Sequence, residues 1–334
     1  MSVRLNQIPS KPLISVVTPA FRPRGAQAFF AAIAANELCE SAEWIVVDDG
    51  SGPHFDALFD SLAAEGVRVI RLPENRGQAA ARNVGLRAAS GALIKFLDMD
   101  DRLSDGHIAA LLASADSLDK KAIPFAPTLH SWPSGAQMRN ESWRSAGSRP
   151  EAQLARLLHA PFLHHCGALF PRALLLELGG YDEALRTDED GDLLIRVLLA
   201  GYSFVAVPEA DYIYTHTDSV TRVSSDDDLR KIEARLAVCE KTIAALEETG
   251  RGLTPEVRVA MAQRMDQIAM ACWALDPACS RSILARAHAV CPTYPLPGRW
   301  PVRLARRIGG PDAAKSVMAV ARLLRGRLAG GVRG

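Results

Sequence analysis

Over its first hundred residues the chain alternates short apolar runs with helical stretches, at a spacing that few folds accommodate. Leu13–Pro19 (LISVVTP), Trp44–Val47 (WIVV), Val67–Leu72 and Ala92–Leu97 (ALIKFL) are the apolar segments, near-continuous as expected of strands covered on both faces. Between them, Ala26–Leu38, His54–Ala64 and Gln78–Ala89 have helical composition and periodicity. Strand, helix and strand in repetition predict right-handed crossover units and an α/β fold with a mostly parallel, twisted sheet flanked by helices. In such sheets ligands gather outside the carboxyl ends of the strands. Three of those ends are polar or acidic: Thr18-Pro19, Asp48-Asp49-Gly50, and Asp98 to Asp101. The pattern therefore locates the candidate site before any activity is considered.

Beyond Ser104 the pattern is mixed. A helix to about Ser117 and a strand near Ala122–Leu129 precede Ser131–Arg149, a polar stretch rich in Ser, Arg and Trp that reads as a mobile loop. A short strand over Ala168–Phe170 follows, then a helix over Asp188–Ala200 with Leu194, Val197 and Leu198 on one face. Phe204–Val207 and Tyr212–Tyr214 read as strands, and everything from about Asp226 reads as helix. The expected organisation is an α/β domain over 1–225 and an α-helical C-terminal extension over 226–334.

Charge and cysteine usage narrow the class. Lys and Arg total 39 against 38 Asp and Glu, a net charge of +1. That balance argues against nucleic acid as a partner held by bulk charge. The six cysteines form no CxxC pair, so they read as reduced thiols of a cytoplasmic protein. Met1–Lys11 lacks the apolar core of a signal peptide, and no apolar run reaches the length of a membrane span. The last stretch interleaves Arg299, Arg303, Arg306, Arg307, Lys315 and Arg322 with Trp300, Leu304, Ile308 and Val320. Such a basic amphipathic surface would suit peripheral contact with the inner face of a membrane, although a charge run is more often a solvated face.

The acidic turn carries chemistry of its own. Asp98 and Asp100 stand i, i+2 at the end of a buried strand, where both can turn toward one hard cation such as Mg²⁺ or Mn²⁺. Protein sites for Mg²⁺ usually supply one or two carboxylates and leave substrate phosphates to complete the shell. The bland reading is that Asp100 or Asp101 caps the next helix.

With these residues in view the chain resembles family 2 glycosyltransferases. Leu13–Phe21 (LISVVTPAF), Trp44–Ser51 (WIVVDDGS), Glu74–Gly85 (ENRGQAAARNVG) and Phe96–Asp101 (FLDMDD) look like that family's consecutive motifs. Gly167–Asp182, Glu189-Asp190-Gly191-Asp192 and His216 continue the match in the family's order, over roughly residues 12–222. The resemblance implies a GT-A fold and an inverting transfer of sugar from a nucleotide-diphosphate donor, UDP foremost, to a hydroxyl of a glycan, lipid-linked or other acceptor. It implies that Asp98 and Asp100 bind metal and diphosphate and that Asp190 is the catalytic base. Thr18, Pro19, Phe21, Arg82, Met99 and either Asp48 or Asp49 would contact the nucleotide, with Glu189 and Asp192 toward sugar or acceptor. His216 would be a further metal or phosphate ligand, while His164 and His165 could face the acceptor or be purely structural. Each has a plainer alternative: Asp-Gly-Ser is good turn chemistry, and three acids in a helix's first turn stabilise its dipole without any chemistry. Two departures from the family pattern bear on recognition: Phe21-Arg22 replaces a common Tyr-Asn, and Gly191 stands where an aromatic is frequent.

Competing classes fit less well. A dinucleotide dehydrogenase needs G-x-G-x-x-G after the first strand, and Thr18–Gly25 (TPAFRPRG) does not supply it. A nucleotidyltransferase would have a glycine-rich loop there. An aspartyl phosphohydrolase would explain Asp98 and Asp100 but not Asp49 and Asp190 in their order. A catalytically inactive relative that binds a sugar nucleotide, or scaffolds an assembly, remains the rival of a different class.

Overall fold

The computed structural model describes residues 13–23, 26–35, 42–216, 228–273 and 275–294. The first part of the chain runs β1 (Ile14–Ala20), α1 (Gln27–Ala35), β2 (Ala42–Asp48), α2 (Asp56–Ala64), β3 (Arg68–Arg71), α3 (Gln78–Ala88) and β4 (Leu93–Phe96). The middle comprises β5 (Arg102–Leu103), α4 (His107–Ser117), β6 (Ala122–Phe125), β7 (Thr128–Ser131), β8 (Gln137–Arg139), α5 (Pro150–His159), β9 (Leu169–Pro171) and α6 (Arg172–Glu177). Next come α7 (Glu189–Leu199), β10 (Ser203–Ala206), β11 (Tyr212–Thr215), α8 (Leu229–Glu248), α9 (Pro255–Cys272) and α10 (Pro277–Val290).

The main sheet has the order β3-β2-β1-β4-β9. Its first four strands are parallel and β9 is antiparallel to β4. Val16, Val17, Ile45, Val46, Val47, Ile94 and Phe96 are all fully buried, so the apolar runs are strands sandwiched between helices. Small residues let α3 approach β1 closely: a Cβ added at Gly85 would lie 2.3 Å from Val17 Cγ1. Entry into α3 is through Gly77 at φ 93, a conformation that suits glycine. These two glycines seat α3 so that Arg82 lies over the strand ends. A second sheet, β5-β11-β7-β8, and the parallel pair β10-β6 flank the main one.

The middle of the chain departs from expectation twice. The single strand expected near Ala122–Leu129 is two strands in different sheets: β6 pairs with β10, and β7 with β11 and β8. Prolines at 124 and 127 sit inside and between them, and the Pro127 carbonyl already accepts from Tyr212 N. The loop expected over Ser131–Arg149 instead contains β8, antiparallel to β7 across a turn at Gly135 (φ 83), and a 3-10 turn at Ser142–Ser145. Gln137–Arg139 is a short edge strand without an apolar face, so alternation could not announce it.

The C-terminal helices are built into the fold. Helix α9 packs against α5 and α10, and α8 packs against α7 and α9. Met261, Met265, Ile268, Ala269 and Cys272 bury one long side of α9. Among the described residues no helix is long and apolar enough to cross a membrane. The basic segment from Arg299 onward lies outside the described residues.

Candidate active site

A cleft opens beyond the carboxyl end of β4. Its walls are Gln78 and Arg82 from α3, Asp98, Asp100 and Asp101 from the turn after β4, His164 and His165, Thr187 to Asp190 at the entry to α7, and Tyr214 of β11. Sequence elements from Gln78 to Tyr214 thus converge on one hollow.

Arg82 is the centre of its charge network. Its side chain is 2% exposed; Nη2 donates to Asp98 Oδ1 at 2.7 Å and Nη1 to Glu189 Oε1 at 3.2 Å. Burial alone would raise the Asp98 carboxyl, but Arg82, followed by His165 and His164, outweighs it and holds the group at about 2. Burial and the neighbouring Asp190 charge instead push Glu189 above the ordinary carboxylate range. Gln78 Nε2 also donates to Glu189 Oε1, so Glu189 faces the cleft while serving as a buried anchor for α3.

Asp101, counted with the turn in the sequence, has a separate job. The Tyr212 hydroxyl and Thr215 N both bond its carboxyl, which ties the acidic turn to β11. Burial, then the nearby Asp98 charge, pushes Asp101 well above the usual range. Asp98 is 24% exposed and Asp100 is exposed, so these two remain available to a ligand.

Asp190 faces this turn from α7. Its side chain is 39% exposed, and His165 Nδ1 lies 3.7 Å from Oδ2, too far for a hydrogen bond. Burial pushes the Asp190 carboxyl up, but His165, His164 and the Gly191 N–H, which donates to Oδ1 at 2.8 Å, hold it below the ordinary range. It is therefore an ionised, solvent-reachable carboxylate. Burial pushes His164 down to about 3, so that imidazole is neutral. It stacks on Tyr212 with ring centroids 4.8 Å apart.

The structure does not bring every expected residue into the cleft. Asp192 turns away: its carboxylate is 3% exposed and accepts from Arg196 Nε at 2.7 Å and Lys241 Nζ at 2.6 Å. Thr18 is fully buried, with Oγ1 lacking a hydrogen-bond partner. Met99 is 7% exposed. Pro19 is half-buried and Phe21 is 46% exposed, with the Arg22 guanidinium 5.0 Å over its ring. Phe21 follows β1 directly, beside the end of β2 where Ala20 is paired with Asp48. Asp48 and Asp49 are both buried there. Asp48 Oδ1 accepts from Ser51 N, closing the turn. Asp49 accepts from Asn75 Nδ2, Arg76 N and Gly77 N, fixing the loop that leads into α3. His216 lies just past β11, stacked on Trp132 at 4.4 Å, with Nε2 3.0 Å from His130 Nδ1.

Four lining residues escaped the sequence reading: Gln78, Thr187, Asp188 and Tyr214. Only Tyr214 carried a usable signal, since it alternates with buried Tyr212 along β11.

The parallel sheet with its ligand cleft beyond the strand ends, and helices on both faces, defines a GT-A-type α/β protein. The chain belongs to glycosyltransferase family 2: residues 15–179 match the family model described as Glycosyl transferase family 2. Among curated proteins it is 31% identical over 209 residues to the succinoglycan biosynthesis protein ExoO of Rhizobium meliloti, covering 60% of this chain and 59% of that one. It is 29% identical over 177 residues to the pre-mycofactocin glycosyltransferase of Mycobacterium tuberculosis, covering 52% and 37%. The chain thus spans less than two thirds of each of these relatives' lengths. Among solved structures, S. aureus TarS 1-349 in complex with UDP-GlcNAc superposes with a TM-score of 0.60 at 16% identity, over 93% of this chain and 91% of that one. The mannosyltransferase PcManGT from Pyrobaculum calidifontis, in complex with GDP-Man and Mn²⁺, gives 0.50 at 17% identity, over 94% and 80%.

Proposed function

We propose that the chain transfers a sugar from a nucleoside-diphosphate donor, UDP foremost, to an acceptor hydroxyl with inversion, in the synthesis of a polysaccharide, glycolipid or other glycoconjugate. The observation that carries the reading is the convergence of Asp98, Asp100, Arg82 and Asp190 on one cleft. UDP is favoured by the UDP-GlcNAc complex of TarS, and polysaccharide synthesis by the name of the succinoglycan relative.

The cleft encloses about 270 Å³, just below the roughly 300–1,000 Å³ of pockets that enclose whole drug-sized ligands. It suits the sugar and acceptor ends, with the nucleotide lying outward across Phe21 and the ends of β1 and β2. Asp190 takes the proton from the attacking hydroxyl, on the side opposite the departing diphosphate. Arg82, a buried guanidinium already shared between two carboxylates, offers charge-assisted hydrogen bonds to phosphate oxygens.

A divalent cation, Mn²⁺ or Mg²⁺, fits the acidic turn. Asp98 and Asp100 present two carboxylates of the hard-oxygen type at the solvent-facing side of the turn, and the Asp98 charge adds to burial in raising the nearby Asp101 carboxyl, a repulsion that a cation would relieve. Asp98 and Asp100 would hold the ion, with His216 a further candidate ligand. When bound, the ion neutralises charge on the leaving diphosphate. The site of action is proposed as cytoplasmic, with the basic C-terminal segment available for contact with a membrane surface.

The test is calorimetry of UDP, GDP, dTDP and their sugars with and without Mn²⁺, on wild type and Asp98→Ala. Metal-dependent binding of one nucleotide, lost in the variant, supports the donor site. Binding without turnover of any acceptor would favour the inactive-relative reading, and no binding at all would overturn both.

A further inference from the structure

Helix α7 begins immediately after Asp188, whose backbone sits at φ 64, ψ 15. The left-handed region is uncommon for a residue with a Cβ, though Asp and Asn tolerate it best. It persists only where surroundings over-determine it. Here the surroundings come from the C-terminal helices. Asp188 Oδ2 accepts from Arg264 Nη2 of α9, and the two side chains are 19% and 14% exposed. Asp188 Oδ1 lies over the first turn of α7, where a Cβ added at Gly191 would meet it at 2.5 Å. The Asp188 carbonyl also accepts from Asp192 N at 2.9 Å. One residue thus sets the direction in which α7 departs, and Asp190 is two positions further on. A second tie lies on the other side of Asp190, where Lys241 of α8 donates to Asp192 and Asp182 at 2.6 and 2.8 Å.

We propose that Arg264 is a positioning residue for the Asp190 carboxylate, acting through its partly buried ion pair with Asp188. The C-terminal helices then complete the catalytic centre without touching substrate. The proposal rests on Asp190 being the base. Arg264 can act at this distance because α9 is itself fixed, with Met261 and Met265 buried against its neighbours. A guanidinium at the carboxylate holds Asp188 in its uncommon conformation, which aims residue 190 at the acidic turn across the cleft.

The test uses the full chain with Mn²⁺ and two probes, UDP-N-acetylglucosamine and GDP-mannose, with water as acceptor and release of nucleoside diphosphate as the readout. Arg264→Met and Asp188→Asn are each expected to lower kcat roughly 10- to 100-fold, as for small misplacements of a catalytic group. Donor KM should stay within about twofold. The double variant should lose no more than the worse single one, since the two residues act as one unit. Arg264→Lys should recover part of kcat, and Arg258→Met, on the exposed side of α9, should match wild type. Asp188→Asn keeps a residue that tolerates the left-handed conformation, so it separates positioning from misfolding. Unchanged kcat in Arg264→Met, additive losses, or losses confined to KM would overturn the proposal. Full turnover by Asp190→Asn would instead sink the base assignment on which it rests. If neither donor turns over, crystal structures of wild type and Arg264→Met decide: displacement of the Asp190 carboxylate by about 1 Å or more supports the proposal, and an unmoved carboxylate rejects it.

Discussion

Arg82 holds Asp98 at 2.7 Å from a side chain that is almost wholly buried, so the carboxylate proposed to bind a cation is already neutralised in the free protein. Arriving cation and resident guanidinium therefore compete for the same oxygen until a diphosphate supplies both with further anionic partners. The arrangement favours cation and nucleotide binding together over either alone.

Arg82→Met tests this with two signs. It leaves Asp98 and Glu189 without their cation, and breaking a buried pair by removing one partner costs about 3–5 kcal/mol. Urea unfolding should show a loss at the lower end, because Asp98 is partly open to solvent. Mn²⁺ alone should bind the variant more tightly than wild type, while UDP with Mn²⁺ binds more weakly. Weaker binding of Mn²⁺ alone would contradict the competition.

Asp101 gives a prediction that separates shape from charge. Its carboxyl lies well above the usual range, so an amide of the same shape is close to its neutral form. Asp101→Asn should retain most stability and turnover. Asp101→Ala leaves the buried Tyr212 hydroxyl and Thr215 N–H without their acceptor, at a cost of about 1–3 kcal/mol each. Thermal unfolding of the two variants side by side provides the check; equal losses would count against a shape-and-bond role.

Lys95 sets a pH dependence from inside the main sheet. It is fully buried in β4 with Nζ on the Cys166 carbonyl, and burial lowers it from 10.5 to about 7. Between about pH 7 and 10.5 the unfolded chain holds a proton that the folded chain has released. This group therefore makes stability rise with pH across that window. Below pH 7 both states are protonated and the penalty for burying the charge is felt in full. Lys95→Met should be more stable than wild type near pH 7. That advantage should shrink by about 1 kcal/mol per pH unit toward pH 9, measured by urea unfolding at pH 7, 8 and 9. A constant difference across that range would show that Lys95 does not change its protonation.

The first hundred residues were legible because buried parallel strands and helices write different periods; Val16–Val17 and Ile45–Val47 have no polar alternation to confuse them, and Lys95 is the single polar interruption of Ala92–Leu97. The turn after β4 was legible for the same reason, since its acids follow a strand too apolar to be anything but covered. Helix α5 was missed although Pro150 opens it and Leu154, Leu157 and Leu158 share its buried face, because the polar run before it blurred its start. The separate duties of Glu189, Asp190 and Asp192 were not legible at all. Their spacing says only that they share a first turn. Which one meets solvent depends on Arg82, Arg196 and Lys241, placed by the tertiary fold. Asp48 and Asp49 part company on equally distant grounds, through the Asn75 side-chain amide and the Arg76 and Gly77 N–H groups that Asp49 alone receives.

The cations that α8 and α9 extend to α7 also decide where this chain can be cut. The family match ends at residue 179, and a boundary drawn by pattern falls near 225. Trimming at 179 would remove α7 itself, and trimming near 225 would strip Asp188 and Asp192 of Arg264 and Lys241 and uncover the side of α5 that α9 shields. The smallest piece expected to fold and turn over therefore extends through α9, some ninety residues past the end of the family-model match.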